Sequence, residues 1–178
     1  MKIRSLIATL VMLAAWPVLA ADAVSVNPEM RKLDWLVGEW KGEATVQMGP
    51  GPAQTVVQHE RVQSKLDGKV LLIEGLGKRK MEDGSAGATV HDALAILSYN
   101  PEKKNYRFNT WLADRPSGEA VLEVTGPTTA VWGLETPRGR MRYTVDLTEK
   151  GEWLEIGEWS TDGTKWTKFI EMRLSKVK

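Results

Sequence analysis

Few side chains in this sequence have the type and spacing to do chemistry, and most of those lie in strand-like segments. Between Gln54 and Lys65, Val57, His59, Arg61 and Gln63 share one face, while Val56, Gln58, Glu60 and Val62 share the other. If the first set faces an interior, His59 and Arg61 give it a polar anchor for an anionic head group such as a carboxylate. The alternative is that both sit on a solvated face. Further along, Trp153, Glu155 and Trp159 share a face against Leu154 and Ile156, so parity alone does not say which side is inside. Such a strand is expected where the interior is partly polar, as in a ligand-binding barrel, or where the outer face packs on something. Acid–base catalysis would need His59, or a carboxylate such as Glu155, inside with a shifted pKa.

Other groups carry less. His91 and Asp92 are adjacent, and neighbours on a strand face opposite sides, so they do not form a His–carboxylate dyad with each other. They are the second histidine of the chain and an acid beside it; with His59 far away, no metal-ligand spacing exists, and no metal site is expected. The chain has no cysteine, which removes a thiol nucleophile, a thiolate metal centre, a disulfide framework and a lipidated N-terminal Cys. No serine has a nucleophile-elbow context. Lys78, Arg79 and Lys80 beside Glu82 and Asp83 read as a solvated turn. A formal net charge of +1 argues against a nucleic-acid partner.

The elements that must position these residues are mostly strands. Asn27 followed by Pro28 is a helix start, with Leu33, Leu36 and Val37 at helical spacing, and Gly38 reverses the chain. From there the period drops to two: Trp40, Gly42, Ala44, Val46 and Met48 on one face. Strands follow at about 54–65, 70–77, 90–99, 106–113, 119–125, 130–136, 140–147, 153–160 and 165–174, separated by turn signals that include Asp67-Gly68 and Asp162-Gly163. Gly75 and Gly77 hint at a bulge or bend in the third strand, and residues 82–88 read as a flexible loop. The fold class is therefore all-β: a single antiparallel meander of about ten strands closed into a barrel, preferred over a two-sheet sandwich, with one short N-terminal helix.

Residues 1–20 read as a signal peptide, with a basic start at Lys2 and Arg4, an apolar run and small residues at Val18-Leu19-Ala20. The barrel domain then spans 21–178, without a stable membrane span after cleavage, and the expected location is periplasmic or secreted. Eight tryptophans against three tyrosines and two phenylalanines point to an aromatic core or an aromatic-lined pocket.

Leu36-Val37-Gly38-Glu39-Trp40-Lys41-Gly42-Glu43 resembles the G-x-W-x-G opening of calycin barrels, namely lipocalins, fatty-acid-binding proteins and nitrobindin-type haem barrels. Leu66-Asp67-Gly68, the segment from Ser98-Tyr99-Asn100-Pro101 to Tyr106, Trp111 and the closing Phe169–Leu174 segment are similar to an uncharacterised family of bacterial secreted calycin-like domains. The resemblance implies that Trp40 plugs the base of the barrel beneath an arginine, for which Arg173 is the candidate through cation–π stacking. It also implies a small apolar or amphipathic ligand. Nitrobindin-type barrels hold haem through a C-terminal histidine; residues 165–178 contain none, so haem, and any other cofactor, is not expected.

The leading expectation is a lipocalin-like barrel that binds a small, mostly apolar ligand, with His59, Arg61, Trp111, Tyr143, Trp153 and Trp159 as ligand-binding residues. Two alternatives stand beside it: an isomerase or hydrolase of a lipophilic substrate in the same barrel, or an envelope interaction module that docks through an aromatic outer face.

Overall fold

The computed structural model describes residues 27–177; the leader expected over residues 1–20 lies outside the described residues. The described chain opens with α1 (Pro28–Arg31), where the Asn27 side chain accepts a hydrogen bond from the Glu29 backbone N–H at 3.0 Å and Pro28 occupies the first turn. A 3-10 turn (Asp34–Leu36) follows. Gly38, with φ of 142°, then makes the entry into β1 (Gly38–Val46) in a conformation that a side chain would oppose.

The remaining strands are β2 (Gln54–Lys65), β3 (Val70–Lys80), β4 (Ala86–Asn100), β5 (Asn105–Leu112), β6 (Arg115–Gly126), β7 (Thr129–Thr136), β8 (Gly139–Leu147), β9 (Glu152–Ser160) and β10 (Thr167–Lys176). Each pairs antiparallel with its sequence neighbour, and β10 returns to β1, so ten strands close one barrel with no free edge. Two expectations shift. Residues 86–88 belong to β4 instead of a loop, because β3 runs on to Lys80 and pairs it with Ala86. β1 stops at Val46, leaving Met48 68 % exposed beyond the strand. The Asp67-Gly68 turn takes the four residues that the expected strand bounds leave for it, with Leu66, Asp67 and Gly68 all at positive φ.

Alternation sets what faces inward. Gly42 is the tightest point of β1: a Cβ there would strike the Arg173 carbonyl, so β1 and β10 approach to a spacing only glycine allows. Met172 and Leu174 take the inward positions of β10, which obliges Arg173 between them to point outward. The arginine expected over Trp40 is therefore not there: Arg173 is exposed and its guanidinium donates to Glu171 at 3.1 Å. Lys176 takes the stacking role, its Nζ 4.9 Å from the centre of the Trp40 ring.

One end of the barrel is closed. Met30, Leu33 and Leu36 from the N-terminal segment pack with Trp40, Leu71, Leu97 and Leu174, none more than 4 % exposed. The plug is tied by hydrogen bonds as well as by burial. The Trp40 indole donates to the Leu36 carbonyl at 2.8 Å, and the Tyr106 hydroxyl donates to the Glu29 carbonyl at 2.8 Å. Trp153 meets Trp40 edge-on, with ring centres 5.7 Å apart. The opening segment thus forms the barrel base and its plug.

Candidate functional site

The middle of the interior is polar. On β2 the inward face is Val56, Gln58, Glu60 and Val62, all buried, with Gln58 5 % and Glu60 7 % exposed. Antiparallel pairing sets Gly75 and Gly77 of β3 opposite Glu60 and Gln58. A Cβ at Gly75 would lie 2.7 Å from a Glu60 carboxyl oxygen, and one at Gly77 would lie 2.5 Å from the Gln58 Oε1. The two glycines thus leave the volume that these side chains fill, and the register does shift beside Gly77 as well. The Gln58 amide donates to Glu60 Oε1 at 2.6 Å.

Glu155 joins Glu60 in this layer from β9, whose inward face is Trp153, Glu155, Gly157 and Trp159, because Glu155 pairs between the inward Val145 of β8 and Met172 of β10. Burial pushes the Glu60 carboxyl up to about 8; the charge of Glu155 adds to the rise and the Gln58 hydrogen bond opposes it. Burial likewise pushes Glu155 up to about 7, with the Trp153 indole favouring the ionised form. Trp153 is 5 % exposed, and its Nε1–H has the Glu155 carboxyl as its neighbour, short of full hydrogen-bond geometry.

Above this layer the interior is aromatic. Trp132 stacks on Tyr143 with ring centres 4.1 Å apart and planes 7° apart, Phe108 meets Trp132 edge-on at 4.7 Å, and Phe169 meets Tyr143 at 5.7 Å. Phe169 reaches inward at the β10 bulge between Lys168 and Ile170. Trp132, Leu134, Met141, Tyr143, Trp159 and Ile170 all keep part of their surface exposed while pointing inward, unlike Trp40, Leu71, Leu97 and Leu174 at the base. This half of the barrel is the accessible one.

Of the six expected ligand-binding residues, Tyr143, Trp153 and Trp159 are brought together on the interior faces of β8 and β9. Three lie outside. His59 and Arg61 point away from the interior because Gln58, Glu60 and Val62 take the inward positions. His59 instead edges a shallow outer depression with Lys41, Val57 and Leu76, its Nε2 3.9 Å from Glu39, and Arg61 lies 3.9 Å from Glu74. Trp111 is 43 % exposed on the outer face, paired with the exposed Leu94. The anion anchor expected on β2 is thus replaced by an acidic and amide pair. His91, by contrast, shares the inward side with Gly77 and Gln58.

Glu60 and Gln58 are the interior residues that the alternation of β2 leaves unassigned. A signal for them exists in the hairpin: counting back from the Leu66–Lys69 turn sets Gly75 and Gly77 against Glu60 and Gln58, and paired glycines opposite polar residues mark the side where space is left. Among the described residues, no group of three or more His, Asp or Glu side chains could hold a metal ion. No helix among them is long and apolar enough to cross a membrane.

Comparison with known proteins agrees with this architecture. The sequence model of the family described as "Protein of unknown function (DUF1579)" matches residues 26–176. The fold is similar to the crystal structure of Rv2717c from M. tuberculosis, at a TM-score of 0.61 and 10 % identity, covering 86 % of this chain and 100 % of that one. It is also similar to the S-type phycobiliprotein lyase CPES from Guillardia theta, at a TM-score of 0.53 and 10 % identity, covering 82 % and 90 %. No curated protein sequence matches the chain.

Proposed function

The chain belongs to the DUF1579 family, and we propose that its barrel binds one small, mostly apolar molecule in the accessible half of the interior, in a periplasmic or secreted setting. The observation that carries this reading is the contrast between the two ends of the barrel interior. Inward aromatic side chains of β7, β8 and β9 remain partly exposed above a buried polar layer, whereas Trp40, Leu71, Leu97 and Leu174 below that layer are at most 1 % exposed. Partly exposed inward aromatics suit a binding wall, and a few polar groups beneath them would fix a ligand's orientation. Barrels of this fold include a phycobiliprotein lyase, which supports the use of the interior for a small molecule.

Extraction of the mature protein from its native host, followed by mass spectrometry, identifies the molecule. Titration of that molecule into stripped protein is expected to quench tryptophan fluorescence in wild type and to lose most of that change in Trp132→Ala. Equal quenching in the variant, or no bound molecule and no response to any apolar probe, rules the reading out.

Acid–base catalysis on the bound molecule is a second reading, favoured by the position of Glu155 inside the barrel. It predicts conversion of the extracted molecule to an isomer or a hydrolysis product by wild type and loss of conversion in Glu155→Gln. An unchanged molecule after prolonged incubation with wild type excludes it.

A further inference from the structure

The outer wall carries a hollow that the interior site does not use. Trp40, Gln58, Glu60, Gly75 and Gly77 take inward positions, so Lys41 of β1, Val57 and His59 of β2, and Leu76 and Lys78 of β3 point outward. Pairing draws these five together: Lys41 lies against His59, His59 against Leu76, and Val57 against Lys78. All of them line one shallow depression of about 230 Å³. The next strand gives a reason for a hollow in a convex wall. β4 carries an extra residue, Val90, where Gly77 pairs with His91 and Lys78 with Thr89, and such a bulge bends a sheet and increases its twist.

The floor of the depression is aliphatic and its rim is cationic at two points. Other strand cations are answered by acids: Lys80 by Glu43, Arg61 by Glu74 and Arg142 by Glu158. Neither Lys41 nor Lys78 forms an ion pair among the described residues. The acids flanking Lys41 on its own strand are turned elsewhere, Glu43 to Lys80 and Glu39 towards His59 Nε2 at 3.9 Å. Asp92, opposite Leu76 on β4, pairs with neither lysine. Two like charges beside one aliphatic floor repel each other until an anion joins them.

We propose that this outer depression binds a soluble phosphate monoester with a short apolar ester group, the phosphate held by Lys41 and Lys78 and the apolar group lying over Val57 and Leu76. A lysine ammonium acts as a point charge, which suits a tetrahedral, doubly charged phosphate. A planar carboxylate is matched better by the fork of an arginine, and none lines the depression. The aliphatic floor separates an ester from the free ion, because only the ester has apolar surface to cover it. The site lies on the opposite face of the wall from the interior and does not depend on what the interior binds.

The test is calorimetric titration of the full mature protein with butyl phosphate, inorganic phosphate, butyrate and butylamine at low ionic strength. It is run at about pH 7.5, where a phosphate monoester carries close to two charges. Butyl phosphate is expected to bind about tenfold tighter than inorganic phosphate or butyrate, and butylamine not at all. Added salt should weaken the binding several-fold. Lys41→Gln and Lys78→Gln should each weaken it about threefold, and together about tenfold. Lys80→Gln, which removes a lysine already held by Glu43, should change it by less than about twofold. Leu76→Ser should remove most of the preference for the ester over inorganic phosphate. The wild-type ranking of the four probes needs no variant, so a variant that fails to fold does not shield the proposal. Equal binding of butyl phosphate and butyrate, equal weakening by Lys80→Gln, or no binding of butyl phosphate overturns it. So does binding confined to phosphatidylcholine vesicles that contain phosphatidic acid, which would make the wall a membrane contact.

Discussion

The two ends of this barrel are made by the same ten strands under the same inward–outward alternation, yet they have opposite physical character. At the base, Trp40, Leu97 and Leu174 are at most 1 % exposed and the N-terminal segment is bonded across them. At the mouth, Trp159, Met141 and Leu134 point inward and still meet solvent. Between them sit Gln58, Glu60 and Glu155. Stability is therefore concentrated where the plug sits, and the mouth keeps unsatisfied surface that a partner molecule can cover. Breaking the base should cost far more than trimming the mouth.

The largest effect expected is at Trp40. Trp40→Ala removes a fully buried ring, its edge contact with Trp153 and its hydrogen bond to Leu36, and should lower stability by about 3–5 kcal/mol in urea denaturation. Trp159→Ala at the mouth should cost roughly 1 kcal/mol, because part of that ring is already wet. Similar losses for the two would erase the distinction between the ends.

The next largest effect comes from the layer between them. Both carboxyls start from an ordinary value of 4.5, and the fold raises Glu60 to about 8 and Glu155 to about 7. Between those limits the folded chain holds protons that the unfolded chain has released. The stabilising contribution is thus fully present below 4.5, is lost as pH rises, and levels off above about 8. Each group contributes at most about 1.4 kcal/mol per pH unit, and Glu155 contributes less than that ceiling because part of its surface is open. A drop on the order of 3 kcal/mol between about pH 5.5 and 8.5 is expected, halved or better in Glu60→Gln. A stability that rises over this window would show that the acids are not where the alternation of β2 and β9 puts them.

This layer also shows what the sequence makes legible. The strands, their turns and the closure are readable because Asp67-Gly68, Asn100-Pro101, Gly126-Pro127 and Asp162-Gly163 punctuate alternating runs, and short connections force neighbours to pair. The facing of β1 is readable because its polar residues Lys41, Glu43 and Thr45 all fall on one side. β2 and β9 resist the same reading for a physical reason. Their interiors carry Gln58, Glu60 and Glu155, so both faces hold charge, and hydrophobicity no longer distinguishes inside from outside. His59 and Arg61 drew the site outward because a cation is the expected anchor, whereas the interior keeps acids whose pKa burial raises. Arg173 misled in the same way: charge chemistry suggested a partner for Trp40 that strand parity forbids.

A smaller effect separates the plug from the wall it covers. Tyr106→Phe keeps the ring, which meets Tyr99 edge-on at 5.1 Å, and deletes the hydroxyl that bonds the Glu29 carbonyl at 2.8 Å and the Glu29 carboxylate at 3.1 Å. The cost expected is about 1 kcal/mol. Amide hydrogen exchange should rise at Met30, Leu33 and Leu36 while β7 and β8 amides keep their wild-type protection. A uniform rise over the barrel would mean that the plug and the walls open as one unit.

The smallest effect in energy bears most directly on the polar layer. Gly75→Ala introduces a methyl group 2.7 Å from a Glu60 carboxyl oxygen, the movable end of a long side chain. Alanine also restricts the unfolded chain, a stabilisation that offsets the crowding, so the net change near pH 6 should be within about 0.5 kcal/mol. The consequence should appear instead in the pH profile. Pushed aside, Glu60 loses the 2.6 Å hydrogen bond from Gln58 that opposes the rise in its pKa, so the levelling of stability at high pH should move upward from the wild-type position. A loss of several kcal/mol at pH 6 would mean that backbone packing, not space for the carboxyl, is what requires glycine at this position.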